Sequence, residues 1–403
     1  TSRGTRTRAR TSGPSRLTIR YAVPSKRTYT MSRVAMASVR VGVAPLARKF
    51  GVASRHVSSF RSIPRAFSAA ASSDDAPKPK PKVVVITGAN TGLGFISARE
   101  IAAKGHTVVL AVRDTNKGDK AVVDIKDALK TIESSEGEDV PGDLEVMRLD
   151  LQDLQSIDAF VTNFKTKYSH CDVLMNNAGV MALPERSLTV NGIEKQMGTN
   201  HMGHFYLTNL MMPLIFKAEG RPRIVNLSSV AHEWGHIGFD NVNSEGFLGY
   251  LGSGWLTYGR TKLANLYFTY ELHKRLRNFG GNGLRVDVNA VHPGIVDTEL
   301  PRSLSLNFYP TLKEMGSLIT PEEGARGQIE LAIGEKFENV SGKYVAEKSG
   351  PKGNPLGPKG VHEIAESSKY SYDSDQAERL WKISKSMTGA TWEALGEREQ
   401  VKI

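Results

Sequence analysis

The chain contains 403 residues, of which 39% are apolar and 24% are charged, a composition typical of globular rather than fibrous or wholly disordered proteins. No segment approaches the roughly 18–20 uncharged apolar residues that a membrane-spanning helix needs, so we expect no transmembrane segment. The single cysteine, Cys171, excludes an intrachain disulfide and a cysteine-rich zinc site, and we expect no metal site.

The net charge of +11 comes from the first 73 residues, which hold 15 Lys or Arg and no acid. From Asp74 onward, 38 basic residues stand against 42 acidic ones, a net charge of −4. This part of the chain therefore lacks the charge excess that a nucleic-acid partner requires, and we expect no such partner.

The first 73 residues are rich in Arg, Ser, Thr and Ala, a composition typical of an organelle-targeting peptide. The run RAFSAA, Arg65–Ala70, resembles a mitochondrial processing site, so a mitochondrial location is favoured over a plastid one; a disordered tail is the third interpretation. Met31 and Met36 are candidate starts of the natural chain. Residues 74–82, DDAPKPKPK, alternate proline with charge and are predicted to form a linker.

Strand and helix patterns alternate from Val83 onward. VVVITG is a short β-branched run that ends at a glycine, and FISAREIAAKG has apolar residues at helical spacing before the cap residue Gly105. Further strands are predicted in HTVVLAVR, LEVMRLDL, CDVLMNNAG, RPRIVNLSS, LRVDVNAVHPG and GKYVAE. This order predicts an α/β protein with a doubly wound parallel sheet of about seven strands, a Rossmann fold, in a single domain over residues 83–350. Residues 351–403 are predicted to form an extension with one helix, either a lid over the cleft, which we prefer, or a docking segment.

The loop TGANTGLG follows the first predicted strand and opens a helix, with glycines at positions 88, 92 and 94. Gly88 permits a sharp turn, Gly92 lets the backbone approach a diphosphate at the helix N-terminus, and Gly94 lets the helix pack close to the sheet. The alternative, an ordinary strand–helix turn, is disfavoured by this context. The loop therefore predicts a dinucleotide site.

The end of the second strand distinguishes the two nicotinamide dinucleotides. NAD sites commonly place an acid there to bind the ribose hydroxyls, but this chain has Val112. Arg113 follows and can pair with a 2′-phosphate, which predicts NADP(H); a solvated surface arginine is the alternative. Asp114 is interpreted as a loop or helix-cap residue.

Tyr258 and Lys262 in YGRTK lie four residues apart and share one face of a predicted helix. The ammonium, together with the positive nicotinamide ring of an oxidised cofactor, is expected to lower the pKa of the phenol from its usual value of about 10, which would prepare the tyrosine for proton transfer. A surface pair is the alternative for this spacing alone. Neighbouring polar residues favour the catalytic interpretation.

Ser229 ends the strand RIVNLSS at the carboxyl edge of the predicted sheet, where its hydroxyl can hold a substrate oxygen. Ser228, one residue earlier, should point the other way. Asn200, in MGTNHMGHF, either holds a water or a backbone group near Lys262 or is a packing amide.

The motifs from Val83 to about Lys348 resemble those of the short-chain dehydrogenase/reductase family. TGANTGLG, LDL, NNAG, GTNHMGHF, VNLSS, YGRTK and HPGIVDT stand in the family's order. The resemblance implies a catalytic domain whose tetrad is Asn200, Ser229, Tyr258 and Lys262: the tyrosine is acid or base, the serine holds the carbonyl oxygen, and the lysine also binds the nicotinamide ribose. It also implies that Asn176 and Asn177 line the cofactor and brace the sheet. The implied cofactor contacts are Tyr258, Lys262, Gly88, Asn90, Thr91, Gly92, Leu93, Gly94, Arg113, Asp150, Leu151, Asn177, Ala178, Gly179, Pro293, Gly294 and Thr298.

Within that family, AVRD, NHMGHFYLT, RIVNLSS and AERLWKISKSMTG are most similar to the retinol-dehydrogenase-like group, with protochlorophyllide oxidoreductase and WW-domain oxidoreductases as relatives. An aromatic insertion separates Ser229 from Tyr258, which are 29 positions apart. It either forms an adaptable wall for an apolar substrate or simply folds the loop down. Its aromatic residues are Trp234, Phe239, Phe247, Tyr250 and Trp255.

Three functions are open from the sequence. The favoured one is NADPH-dependent reduction of an apolar, retinal-like aldehyde or ketone, with Tyr258 as proton donor. The second is light-driven protochlorophyllide reduction. The enzymes of that family usually carry cysteines near the pigment, whereas this chain has only Cys171, so this function is less favoured. The third is an NADP(H)-binding regulatory or assembly subunit that docks through its C-terminal extension. A homodimer through the Tyr258 helix and peripheral contact with a membrane are also open.

Overall fold

The β-branched segments of the sequence form one sheet. The computed structural model describes Thr1 and residues 80–133, 140–246, 250, 254–280, 286–297, 318–348 and 359–397. The predicted leader apart from Thr1, most of the linker, and residues 351–358 and 398–403 of the extension lie outside the described residues. Within the described part, the strands are β1 Val83–Thr87, β2 Thr107–Val112, β3 Leu144–Arg148, β4 Val173–Asn176, β5 Arg223–Leu227, β6 Asp287–His292, β7 Lys343–Glu347 and β8 His362–Ala365.

The strand order is β3-β2-β1-β4-β5-β6-β7-β8, and every neighbouring pair up to β7 is parallel. The predicted doubly wound parallel sheet is therefore confirmed, and each of the seven predicted strands is present. An eighth strand, β8, was not predicted; it pairs antiparallel with β7. Because the chain turns outward in opposite directions from β1 and β4, their carboxyl ends open a crevice.

Helices cover both faces of the sheet, as predicted. A π-helical turn, Gly198–Met202, lies between the fourth and fifth helices. None of the helices in the described residues is both long and apolar enough to cross a membrane. The helices are α1 Gly92–Ala103, α2 Thr115–Glu133, α3 Leu154–Lys167, α4 Lys195–Met197, α5 Gly203–Ile215, α6 Gly254–Gly280, α7 Pro321–Ile333 and α8 Ser374–Thr388.

Alternate residues of β1 enter different halves of the core. Val84 and Ile86 pack with α1, α2 and α7, whereas Val85 packs with α3, α5 and α6. Because both faces of this strand are buried, apolar side chains are favoured at every position, which explains the uninterrupted apolar run in VVVITG. Gly105 follows α1 with φ of +78°, and its N–H donates to the Ala102 carbonyl at 2.9 Å, so the predicted glycine cap is present.

The described part of the extension contributes to the core. Helix α8 packs on α6 and brings Trp381 against Trp392, with ring centroids 4.5 Å apart. Phe205 of α5 contacts both indoles edge-on, at 5.0 and 5.1 Å. No residue of the described range 359–397 lines the cleft described below, and the lid interpretation stays a prediction. Because α8 covers part of α6, the helix expected to mediate a homodimer is partly occupied within the chain.

The extension should contribute strongly to stability. Trp392 is 0% exposed, and replacing a buried tryptophan with alanine typically costs about 3 to 5 kcal/mol, so Trp392→Ala should lower the free energy of unfolding by about that amount. Trp234→Ala is the matched control, because that indole is 64% exposed, and its effect should stay within about 0.5 kcal/mol. Urea denaturation measures both, and equal midpoints for the two variants would contradict a core role.

Candidate active site

A cleft of about 610 Å³ opens at the carboxyl ends of β1, β4, β5 and β6. It brings together nearly every residue proposed from the sequence. Asn200 does not line it, and Thr298 lies outside the described residues. The predicted residues that line it are Gly88, Asn90, Thr91, Gly92, Leu93, Gly94, Arg113, Asp150, Leu151, Asn177, Ala178, Gly179, Ser229, Tyr258, Lys262, Pro293 and Gly294.

The glycine loop brings α1 very close to the sheet. A Cβ on Gly94 would lie 2.5 Å from the Gly88 carbonyl oxygen and 2.6 Å from Asn177 Nδ2, so only glycine fits there. Gly88 has φ of +67°, a left-handed conformation that favours glycine. Thr91 precedes α1 in an extended conformation and gives the helix no side-chain cap. The first N–H groups of α1 therefore remain available to an anion at this wall of the cleft.

Thr87 and the two asparagines after β4 organise the turn beside that loop. Thr87 Oγ1 accepts hydrogen bonds from the backbone N–H groups of Asn177 and Ala178, both at 2.9 Å. Asn177 Nδ2 donates to the Thr87 carbonyl at 2.7 Å. Asn176 instead donates to Asn226 and Thr208 inside the sheet, so it braces the strands but does not line the cleft.

The far end of the cleft carries Arg113 and Asp150. Val112 is buried, and Arg113, which follows it, is exposed. Across the described residues, no carboxylate lies within ion-pair distance of the Arg113 guanidinium. Asp114 accepts from the Lys117 backbone N–H at 3.3 Å, which agrees with its interpretation as a cap residue. Asp150 accepts from the Gln152 N–H at 3.0 Å, and this bond fixes the carboxylate at the rim.

Ser229 and Tyr258 meet across the cleft. Ser229 begins a short 3₁₀ segment, Val230–Trp234, and its Oγ accepts from the Ala231 N–H at 3.2 Å. Its hydroxyl lies near enough to the Tyr258 phenol to lower the pKa of that phenol. Ser228 is buried and donates to the Lys262 carbonyl at 2.9 Å, so consecutive serines point in different directions, as expected for extended backbone.

Lys262 lies one helical turn beyond Tyr258. Its Nζ is 5.4 Å from the centre of the Tyr258 ring and donates to the Leu227 carbonyl at 3.1 Å. Burial lowers the pKa of Lys262 to about 8. The lysine therefore keeps its charge at neutral pH and can lose it in mild alkali.

Burial also controls Tyr258. It raises the pKa of the phenol to about 12, and the neighbouring Ser229 hydroxyl offsets only part of that increase. Desolvation of the phenolate therefore outweighs any contribution of Lys262, and the lowering expected from Lys262 together with an oxidised nicotinamide stays a prediction. At neutral pH the phenol is protonated.

Asn200 lies behind the cleft, in the π-helical turn between α4 and α5. Its amide nitrogen donates to the Val180 carbonyl and to Thr261 Oγ1, both at 2.9 Å, and its Oδ1 accepts from the Val180 N–H at 2.8 Å. The side chain therefore holds a backbone group, one of the roles considered from the sequence. Its contact with Thr261 places the turn beside the residue that precedes Lys262.

The aromatic insertion contributes side chains both to the wall of the cleft and to the folding of its own segment. Trp234 and Trp255 line the cleft, and the Trp255 ring meets the Tyr258 ring edge-on at 6.1 Å. Phe239 packs beneath Arg379 of α8, and Tyr250 donates to the Leu183 carbonyl at 3.0 Å, so these two fold the segment down. Phe247 lies outside the described residues.

Sequence reasoning missed several groups that hold the site. The Leu227 carbonyl, the acceptor for Lys262, is a backbone atom that no side-chain motif reports. His204 and Thr261 contact Asn200 from both sides but carry no spacing signal of their own. Thr87 could have been found, since a threonine at the end of an apolar strand offers a hydroxyl at the crevice.

Comparison with known proteins identifies the family. A family profile described as short chain dehydrogenase matches residues 82–307. Retinol dehydrogenase 12 of Homo sapiens is 38% identical over 318 residues, covering 77% of this chain and 88% of that protein. Retinol dehydrogenase 11 of Mus musculus is 39% identical over 268 residues, covering 66% and 78%. The crystal structure of an uncharacterized protein from Mycobacterium paratuberculosis is 35% identical with a TM-score of 0.59, covering 78% of this chain and 96% of that one.

The chain therefore belongs to the short-chain dehydrogenase/reductase family of oxidoreductases. The identities place it in the retinol-dehydrogenase-like group of that family. The family uses nicotinamide dinucleotides, and the residues present fit one: the uncapped α1 N-terminus and the glycine cradle can accept a diphosphate.

The close approach at Gly94 should be essential for dinucleotide binding. Gly94→Ala would force the Cβ into the Gly88 carbonyl, displace the loop and weaken NADPH binding by at least about tenfold. Gly238→Ala is the matched control, because no atom lies within 4 Å of the added Cβ. Titration of protein fluorescence with NADPH measures both affinities. An unchanged affinity in Gly94→Ala would show that the cradle is not the binding site.

Proposed function

We propose that the protein is an NADPH-dependent carbonyl reductase that acts on apolar aldehydes or ketones, including retinal-like ones. The observation that carries this proposal is a protonated, buried phenol, Tyr258, which lines one cleft with Ser229 and the ammonium of Lys262. A proton donor of this kind suits reduction, because the carbonyl oxygen must gain a proton as its carbon gains a hydride.

In the proposed mechanism, the Ser229 hydroxyl holds the substrate oxygen, and Tyr258 donates its proton to that oxygen. When bound, the reduced nicotinamide supplies the hydride to the carbonyl carbon. Loss of the phenol proton leaves a phenolate, which the nearby Lys262 ammonium stabilises. Asn200 keeps the Val180 segment and the Thr261 turn in place around this pair.

Arg113 supports the choice of NADP(H) over NAD(H). It stands at the cleft end of β2, where an NAD site would carry an acid, and its guanidinium can form two parallel hydrogen bonds to a 2′-phosphate. The absence of an ion-pair partner for Arg113 among the described residues leaves that planar fork available to a phosphate.

The wall of the cleft supports an apolar substrate. Trp234 and Trp255 contribute indole surface next to Tyr258, and the relatives named above are retinol dehydrogenases. We therefore include retinal-like aldehydes in the substrate class. A mitochondrial location, with a plastid second, is also part of the proposal and rests on the composition of residues 1–73.

Tyr258→Phe tests the chemistry. Removal of the hydroxyl should lower kcat for carbonyl reduction by roughly 10²- to 10⁴-fold, the usual contribution of a general acid, while NADPH binding stays intact. A screen of aldehydes, ketones and retinoids with NADPH gives the rates, and fluorescence titration gives the affinity. Full turnover of Tyr258→Phe on every accepted carbonyl would remove Tyr258 from the mechanism. NADPH binding without turnover by the unaltered protein would instead favour a regulatory subunit.

Arg113→Ala tests the cofactor preference. A charge-assisted hydrogen bond contributes about 1.5 to 3 kcal/mol, so kcat/KM for NADPH should fall by roughly 10- to 100-fold. The value for NADH should change little, which makes NADH the internal control in the same assay. Equal losses with both dinucleotides would indicate a structural role for Arg113.

A further inference from the structure

His204 is a buried residue of α5 that contacts two parts of the site. Its Nε2 lies 2.9 Å from Thr87 Oγ1, at the end of β1, and its Nδ1 lies 3.1 Å from the carbonyl oxygen of Asn200. The residue is 2% exposed, so bulk water does not replace either partner. One imidazole thus spans the turn beside the dinucleotide loop and the turn that contains Asn200.

The hydrogen-bond partners determine which nitrogen carries the proton. Burial lowers the pKa of His204 to about 4, so at neutral pH the ring has one donor and one acceptor nitrogen. The Asn200 carbonyl can only accept, and Nδ1 must therefore carry the hydrogen. Nε2 is then the acceptor, and the Thr87 hydroxyl donates to it.

This assignment also orients Thr87. Its oxygen accepts from the N–H groups of Asn177 and Ala178, so its one hydrogen is its only donor. The Met175 carbonyl is a weaker alternative at 3.4 Å, against 2.9 Å for His204. A single directed chain of donors therefore runs from the Asn177–Ala178 backbone through Thr87 and His204 to Asn200.

We propose that His204 is a positioning residue that couples the dinucleotide turn to the Asn200 turn through its Nδ1–H tautomer. The inference rests on the proposed function, because these turns frame the cofactor and Lys262. Thr87 fixes the backbone of Asn177 and Ala178, both of which line the cleft. Asn200 fixes Val180 and contacts Thr261, the neighbour of Lys262.

Nitrogen NMR of the full chain with ¹⁵N-labelled histidine tests the tautomer directly. We expect the signals of His204, assigned by their loss in His204→Asn, to show a protonated Nδ1 and an unprotonated Nε2 and not to titrate between pH 8 and pH 5.5. An Nε2–H tautomer, or a ring that titrates in this range, would overturn the proposal. This measurement needs no enzyme activity. If His204→Asn does not fold, site-specific labelling of His204 in the unaltered protein assigns the signal instead.

Two variants separate the two contacts. His204→Asn keeps an amide donor near the Nδ1 position and loses the Thr87 contact, so the KM for NADPH should rise about tenfold while kcat changes little. His204→Gln places its amide near the Nε2 position and loses the Asn200 contact, so kcat should fall about tenfold with little change in KM. Parallel changes in both constants for both variants would indicate a merely structural role and overturn the proposal.

Ser384→Ala is the matched control. It removes the partner of His201, a buried histidine of the π-helical turn that contains Asn200. The Nε2 of His201 lies 2.9 Å from Ser384 Oγ, outside the cleft. Because Ser384 contacts neither Thr87 nor the Asn200 side chain, Ser384→Ala should not reproduce the separate effects on KM and kcat that distinguish the two His204 variants. If no carbonyl is reduced by the unaltered protein, the proposed function fails, whereas the tautomer and the NADPH affinity of His204→Asn still decide this inference.

Discussion

The burial of Lys262 is the constraint on which the geometry of the site depends. A buried ammonium is unfavourable unless a polar partner accepts its hydrogen bonds, and the Leu227 carbonyl at the end of β5 does so. Asn265 donates to the same carbonyl at 2.9 Å, and Ser228 donates to the Lys262 carbonyl. These three bonds fix α6 against the edge of the sheet, and they thereby set the position of Tyr258 one turn earlier.

The same burial acts on both titrating groups in opposite directions. It raises the pKa of Tyr258 and lowers that of Lys262, since each group is more easily buried in its neutral form. Both pKa values, about 12 for Tyr258 and about 8 for Lys262, lie above neutral pH. At neutral pH the phenol therefore keeps its proton and the amine keeps its charge. That combination is the starting state which the proposed reduction requires.

Much of the fold was predictable, because parallel strands buried on both faces leave an unmistakable apolar run before each polar edge. The glycine loop and the Tyr258–Lys262 spacing were also readable, since their geometry is local to a turn or to one helix face. β8 was missed because an edge strand of four residues, HEIA, has no such run. The burial that raises the pKa of Tyr258 could not be predicted, because it depends on elements far apart in the chain.

The position of Asn200 shows how distant parts of the chain meet behind the cleft. Its side chain faces Val180 and Thr261, while its neighbour His201 contacts Ser384 of α8 and the rings of Phe205 and Phe268. The π-helical turn is therefore held between the wall of the cleft and the aromatic core that the extension completes. The described part of the extension therefore contacts the site only through the core. The aromatic insertion, in contrast, lines the cleft itself. A sequence motif predicts that Asn200 lies on a helix. The contact of its neighbour His201 with Ser384 depends on the packing of α8, which the motif does not report.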